Sequence, residues 1–316
     1  VIGGRLRRTG VLGINRRNRD YIGRWNERRR FPAVDDKLRT KQLCEASGVA
    51  TPELLGAISS HSELRSFAEL LGPHDAFAVK PARGCQGNGI LIVAERRGCA
   101  FHTSGGRVLG LADVRHRISE ILSGCFSLAG QPDAALVEEL LTVHPALARA
   151  CASGVPDIRV VLFRGLPVMA MARLPSRRSR GRANLHQGAL GAGIRLSQGR
   201  LATAVQGDRF VDRHPDTGER LIGLELPHFR ETLVQAVRVS RCAGLGYVGV
   251  DLVLDEKRGP VVLELNARPG LSIQLANRAG LLPRLEQVER LAAEDRGVDE
   301  RVELARSLAS EWERSP

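Results

Sequence analysis

GVDLVLDEKRGPVVLELNARPG, residues 249–270, decides what kind of molecule this chain folds into. It reads as two short apolar strands, 248–254 and 260–266, joined by the polar turn DEKRG. Side chains alternate along a strand, so Glu264 and Asn266 point to one side of the second strand. Pairing Asp255 with Pro260 across a four-residue loop sets Asp251 opposite Glu264, on that same side. Three oxygen donors, Asp251, Glu264 and Asn266, then converge from one hairpin. That is the donor chemistry of a hard cation such as Mg2+ shared with nucleotide phosphates. A hairpin with its polar residues merely in water would account for one carboxylate, but not for two inside runs this apolar.

The 316 residues suffice for one large domain or two modest ones, with a full core and no disulfide staples. Hydrophobic residues at 43% and charged residues at 26% group the chain with ordinary globular proteins rather than disordered ones. No apolar run reaches the roughly 18 residues of a membrane span. The start, VIGGRLRRTGVLGINRR, lacks the apolar core of a signal peptide. Cysteines at 44, 85, 99, 125, 151 and 242 form no CxxC pair, which reads as reduced thiols in a cytoplasmic protein.

The formal net charge is +12, and only four of 47 basic residues are lysines (Lys37, Lys41, Lys80 and Lys257). A GC-rich genome produces that skew wherever charge alone matters, so the surviving lysines mark places that need a compact ammonium. Two arginine clusters stand out. RRNRDYIGRWNERRR, 16–30, is either a basic arm packed by Tyr21, Ile22 and Trp25 or a contact for an acidic partner, nucleic acid or lipid headgroups. RLPSRRSRGRAN, 173–184, has five arginines and no acid. It is either a solvated loop or one that faces an anion, because like charges repel unless something negative lies between them.

Residues 1–34 read as an irregular Gly- and Arg-rich arm. Asp35 and Asp36 open a helix (Leu38, Leu43, Ala46) that Gly48 and Pro52 stop, and Ser62 and Gly72-Pro73 bracket a second. FAVKP (77–81) and GILIVAE (89–95) are strands around a glycine loop. A hairpin turns near Ser104, Gly105 and Gly106, and a helix follows near 111–122. AALVEELL (134–141) is strand-like, DIRVVLF and PVMAMAR form a hairpin about Arg164 and Gly165, and a helix covers about 227–243. From Leu282 a charged helical pattern breaks at Gly297. This alternation, with several hairpins, predicts a mixed α+β architecture. Lobes are expected at 35–133 and 134–290, between the arm (1–34) and a helical tail (291–316).

AVKPARGCQGNGILIV, 78–93, puts Lys80 at a strand end, followed by Gly84, Gly87 and Gly89. Such a loop lets backbone N–H groups approach phosphate oxygens closely; a plain hairpin turn is the alternative. It is not a P-loop, because no Lys-Ser or Lys-Thr follows the glycines and the next element is a strand. Cys85 within it is a small filler. GLGYVG, 244–249, matches the dinucleotide fingerprint by letter and fails it by context, with a helix before and a strand after. In PDIRVVL, Asp157 and Arg159 share one strand face. Arg173 ends the return strand, Arg182 and Asn184 follow in GRANLHQG, and Arg268 lies two residues past Asn266. This set is either a structural ion-pair group or a site for phosphate and carboxylate oxygens, which arginine binds bidentately. His186 reads as structural, and no Ser–His–Asp or Cys–His order is evident.

Taken together, VKPARGCQGNGI, VPDIRV, ANLHQGA and GVDLV…LELNARPG, in that order, resemble the ATP-grasp superfamily, more narrowly the α-L-glutamate ligase-like proteins related to RimK-type ligases. The sugar-transfer-associated ATP-grasp proteins look similar too. The resemblance runs from about 34 to 285. It implies that Lys80 holds ATP phosphates under the loop of Gly84, Gly87 and Gly89, with Lys37 nearby. Glu139 and Leu140 would be the hinge whose backbone reads adenine, and Asp157 would contact the nucleotide. Arg182 and Asn184 would face the phosphate and substrate end. Asp251, Glu264 and Asn266 would carry Mg2+ or Mn2+, and Arg159, Arg173 and Arg268 would steady an acyl phosphate. Two departures bear on substrate: the separate N-terminal domain is missing or reduced to the arm, and the stretch from Leu140 to Asp157 is long.

The expected fold is therefore an ATP-grasp, two α+β lobes clamping ATP and metal. The expected activity is ATP-dependent carboxylate–amine ligation, taking a small-molecule or peptide carboxylate and an amino-acid amine. An ATP-grasp phosphotransferase and a non-catalytic nucleotide-binding adaptor are the alternatives.

Overall fold

A computed structural model describes residues 9–84, 87–127, 130–292 and 295–314; residues 1–8 of the arm, and Cys85 with its filler role, lie outside that set. The chain divides into two compact units, a smaller one (Asp36–Leu38, Thr51–Thr142) and a larger one (Val1–Asp35, Arg39–Ala50, Val143–Pro316).

The smaller unit carries a six-stranded sheet in the order β1-β6-β2-β3-β4-β5. Its strands are β1 Leu54–Ile58, β2 Phe77–Pro81, β3 Leu91–Arg97, β4 Ala100–Thr103, β5 Val108–Leu109 and β6 Ala135–Glu139. Every ladder is antiparallel. The period of two along β2 and β6 sends Phe77, Val79, Ala135 and Val137 into the core. There they meet Val114, Ile118, Ile121 and Leu122, spaced on one face of the helix Leu111–Leu122. Lys80, Leu136 and Glu138 consequently fall on the other face. The division between units lies after Thr142 rather than at 134, because β6 is hydrogen-bonded between β1 and β2.

The larger unit has a seven-stranded antiparallel sheet in the order β11-β10-β9-β8-β7-β12-β13. Its strands are β7 Asp157–Phe163, β8 Leu166–Leu174, β9 Leu190–Arg195, β10 Arg200–Gln206, β11 Arg209–Phe210, β12 Tyr247–Asp255 and β13 Gly259–Asn266. One face buries Ile158, Val160, Leu162, Val248, Val250 and Leu252 against the helices Phe229–Ala243 and Val298–Trp312. The expected tail is thus part of this core. The opposite face buries Val161, Phe163, Met169, Met171 and Tyr247.

That second face is covered by the helices Ser272–Asn277 and Leu282–Arg290 together with the arm, whose residues 14–25 are helical rather than irregular. Segments Ile14–Arg16, Arg17–Ile22 and Gly23–Trp25 run on as one helical stretch whose middle has π pitch. Tyr21 and Trp25 drive the docking, each edge-on to Phe163 with ring centroids 5.3 and 5.4 Å away. Arg16 pairs with Glu286 and Arg24 with Glu289, so for these two arginines the acidic partner is this chain's own helix Leu282–Arg290.

The hairpin β12–β13 shows how register can be right for a partly wrong reason. Asp255 pairs with Gly259, not Pro260, because the turn is one residue shorter than expected. A bulge between Asp251 and Leu252 takes up Leu263 and restores the offset, so Asp251 still faces Glu264 and Gly249 faces Asn266. The Asp255 side chain holds the short turn, accepting from Lys257 N and Arg258 N at 3.0 Å each.

Candidate active site

Four neighbouring strands assemble a charged cluster on that second face. Across β7, β8, β12 and β13, Asp157 lies opposite Arg173, and Asp251 lies between Arg159 and Glu264. The Arg159 guanidinium grips Asp251 with both prongs, Nε to Oδ1 at 2.7 Å and Nη2 to Oδ2 at 2.6 Å. Arg173 grips Asp157 in the same way, at 2.5 and 2.6 Å, and its Nη2 reaches across to Asp251 Oδ2 at 2.7 Å. Two carboxylates and two guanidiniums thus balance with little water: Asp251 is 1% exposed, Asp157 5% and Arg159 8%.

Burial and pairing act differently on the two acids. Burial pushes the Asp157 carboxyl up to about 6, against the pull of Arg173. Burial also opposes charge on Asp251, but Arg159 and Arg173 together overcome it and hold that carboxyl well below the usual carboxylate range. The Arg173 guanidinium is desolvated as well, yet Asp157 and Asp251 keep it firmly protonated. A proton entering the cluster therefore goes to Asp157 first.

Glu264 and Asn266 are half-buried on the outer strand, next to this cluster. Asn266 Oδ1 accepts from Arg268 N at 2.9 Å, which orients the amide. The Arg268 guanidinium itself is exposed and lies 4.7 Å from the Phe31 ring centroid and 3.8 Å from Asp35. Among the described residues no three His, Cys, Asp or Glu side chains gather as a metal cluster. A cation here would rest on the oxygens of Asp251, Glu264 and Asn266 plus ligands brought by a nucleotide, a donor set suited to Mg2+ or Mn2+.

In the smaller unit, Lys80 is buried and ion-paired with Glu138 on the adjacent strand. Lys37 Nζ donates to Gly84 O at 2.8 Å, tying that lysine to the base of the glycine loop. Asp133 secures the same base, accepting from Arg83 N at 3.1 and 2.9 Å and from Ala134 N at 2.8 Å. Gly87 and Gly89 have φ of +72° and +77°, which glycine adopts at little cost. Glu139 is tied to β1: its N–H donates to Glu53 O at 3.1 Å and its carboxylate accepts from Glu53 N at 2.5 Å. Leu140 follows directly after the strand.

Arg182 and Asn184 sit on the loop between β8 and β9. Asn184 Oδ1 caps the turn Leu185–Gln187, accepting from His186 N at 3.0 Å, and Arg182 Nη1 donates to Gln187 Oε1 at 3.1 Å. Buried Ser176 and Ser179 bond to each other and Ser176 Oγ to Gly188 O, so the base of the loop is fixed while Arg177, Arg178, Arg180 and Arg182 are exposed.

Two features escaped sequence reasoning. Glu138 is one; the signal was a carboxylate within an apolar strand, the same signal that marked Asp251. The other is Asn26, a 5%-exposed amide in the arm, for which composition offers no signal.

A family model described as sugar-transfer associated ATP-grasp matches residues 16–290. Relatives include a probable α-L-glutamate ligase of Maridesulfovibrio salexigens, 27% identical over 236 residues, 75% of this chain and 56% of that protein. Another, of Halorhodospira halophila, is 25% identical over 246 residues, 78% of this chain and 59% of that protein. The chain thus spans little more than half the length of either relative. Among solved structures, D-alanine–D-alanine ligase from Bacillus anthracis complexed with ATP aligns with a TM-score of 0.44 and 15% identity, over 88% of this chain and 68% of that one.

Proposed function

Because the chain belongs to the sugar-transfer associated ATP-grasp family, we propose that it is an ATP-dependent ligase joining a carboxylate to an amine through an acyl phosphate. The observation that supports this most is the buried, charge-balanced cluster of Asp157, Arg159, Arg173 and Asp251 beside the oxygen donors Glu264 and Asn266. In this reading Lys80, Lys37 and the loop of Gly84, Gly87 and Gly89 hold phosphates, and Glu139 and Leu140 lie by the adenine. Asp157 approaches the nucleotide, and Asp251, Glu264 and Asn266 take the Mg2+ or Mn2+. That cation would neutralise phosphate charge and orient the γ-phosphoryl group.

A substrate carboxylate attacks the γ-phosphorus, the bond to the bridging oxygen breaks, and ADP leaves. The amine then attacks the acyl carbon and expels phosphate, giving an amide. The arginines Arg159 and Arg173, fixed in advance by their carboxylates, stabilise charge as it develops, with no nucleophile asked of the protein. Arg182, Asn184 and Arg268 lie at the phosphate and substrate end, and glutamate is the first amine to test, from the name of the relatives.

The test is ADP release by purified protein across a panel of carboxylates and amino acids, with mass analysis of the product. Ligation requires ADP release that depends on both substrates and a product heavier by the amine less water. Release with a carboxylate or other acceptor alone, yielding a stable phosphorylated product, would establish phosphotransfer instead. ATP binding with no turnover for any pair would favour an adaptor.

A further inference from the structure

At the site end of the hairpin, β12 and β13 part company. The last ladder pair is Gly249 with Asn266. Tyr247, two residues earlier on β12, has Phe163 of β7 on one side and no β13 residue on the other. The side-chain amide of Asn26 fills that place. Its Oδ1 accepts from Tyr247 N at 2.8 Å, and its Nδ2 donates to Tyr247 O at 2.7 Å and to Ala267 O at 3.3 Å. A carboxamide has the same donor and acceptor as a peptide unit, so Asn26 continues the sheet with a side chain where the strand has turned away.

The arm holds the following residues as well. Arg17, 7% exposed, donates from Nη1 to Pro269 O at 2.9 Å. Trp25 O accepts from Gly246 N at 3.1 Å, and the Phe31 ring lies under the Arg268 guanidinium. The segment Ala267–Pro269, which directly follows Asn266, is therefore hydrogen-bonded to the arm.

We infer that Asn26, seconded by Arg17, is a positioning residue for the cation-bearing hairpin: it sets the end of β13, and so the placement of Asn266 and Glu264, against β12 and Asp251. Both side chains act through the backbone they bond, Arg17 at Pro269 O and Asn26 at Tyr247 and Ala267 O. The inference rests on the ligase reading, which supplies the cation.

The experiment is Mn2+ binding to the full chain with a non-hydrolysable ATP analogue, followed by electron paramagnetic resonance, beside thermal unfolding of the same samples. Wild type and Glu264→Ala come first. Wild type should bind Mn2+ and Glu264→Ala should not; if wild type binds none, the cation assignment falls and this inference with it. Given that contrast, Asn26→Ala should raise the Mn2+ midpoint about tenfold, as loss of a supporting partner behind a metal ligand does. A merely structural Asn26 would lower the unfolding temperature and leave the midpoint of the folded protein unchanged; that result overturns the inference while the cation site stands. If Asn26→Ala does not fold, Arg17→Gln, which removes the bond to Pro269 O, must shift the midpoint in the same direction, and an unchanged midpoint there also overturns it.

Discussion

Asp251 and Glu264 are cross-strand neighbours with different surroundings, and their removal should separate stability from chemistry. Asp251→Ala strips the carboxylate from two guanidiniums that are themselves buried. We expect a loss of about 3–5 kcal/mol in urea unfolding, as when one partner of a buried ion pair is deleted. Glu264 is half-buried, so Glu264→Ala should cost only about 1 kcal/mol while ending metal-dependent ADP production. Wild-type turnover in that variant would remove Glu264 from the site. Asp157 supplies a pH signature. Its folded-state pKa is raised to about 6 from the ordinary 3.8, so the folded state binds the extra proton across that window. The contribution of Asp157 to stability is full below the ordinary value and falls as pH rises towards 6. Asp157→Asn lacks this loss, so its stability relative to wild type should climb between pH 4 and pH 6.5 and level off above. A difference flat across that range would mean that Asp157 titrates normally.

Elements built on local contrast were legible in the chain. Short apolar runs joined by turn residues marked β7, β8, β12 and β13, and helical patterns marked Leu111–Leu122 and Phe229–Ala243. Strands β9–β11 were not legible. β9 reads LGAGIR, and its glycines suppress any strand signal, yet they are there for packing: a Cβ at Gly193 would lie 2.5 Å from Ala276 O. The same logic explains GLGYVG. Gly244 caps a helix with φ of +62°, and a Cβ at Gly246 would lie 2.7 Å from Trp25 Cβ and 2.8 Å from Trp25 O. These glycines admit the arm rather than a dinucleotide. Gly246→Ala should therefore push the arm off β12, costing roughly 1–3 kcal/mol and exposing Trp25 to a fluorescence quencher. Unaltered quenching would show that the arm can shift aside without leaving.

For the whole molecule, net charge says less than it promised. The chain carries +12, but Arg16 and Arg24 spend their charge on Glu286 and Glu289, and Arg17 is buried against a carbonyl. Among the described residues no helix is long and apolar enough to cross a membrane. A nucleotide and cation that bind the folded state should stabilise it by about 2.7 kcal/mol at a hundred times Kd, visible as a rise of several degrees in the calorimetric midpoint. Glu264→Ala should lose most of the metal-dependent part of that rise, and an equal rise with and without metal would speak against a shared site. Four ordered motifs sufficed to identify an α+β ATP-grasp chain and to nominate Asp251, Glu264, Asn266 and Lys80 as candidates for its site, because strand pattern and glycine placement are properties of neighbouring residues. The register bulge at Leu263, the pairing of Lys80 with Glu138, and the arm that props the end of β13 were beyond that kind of reading. Each depends on which distant segments lie side by side, and such contacts are set by packing across the sheet rather than by any local pattern.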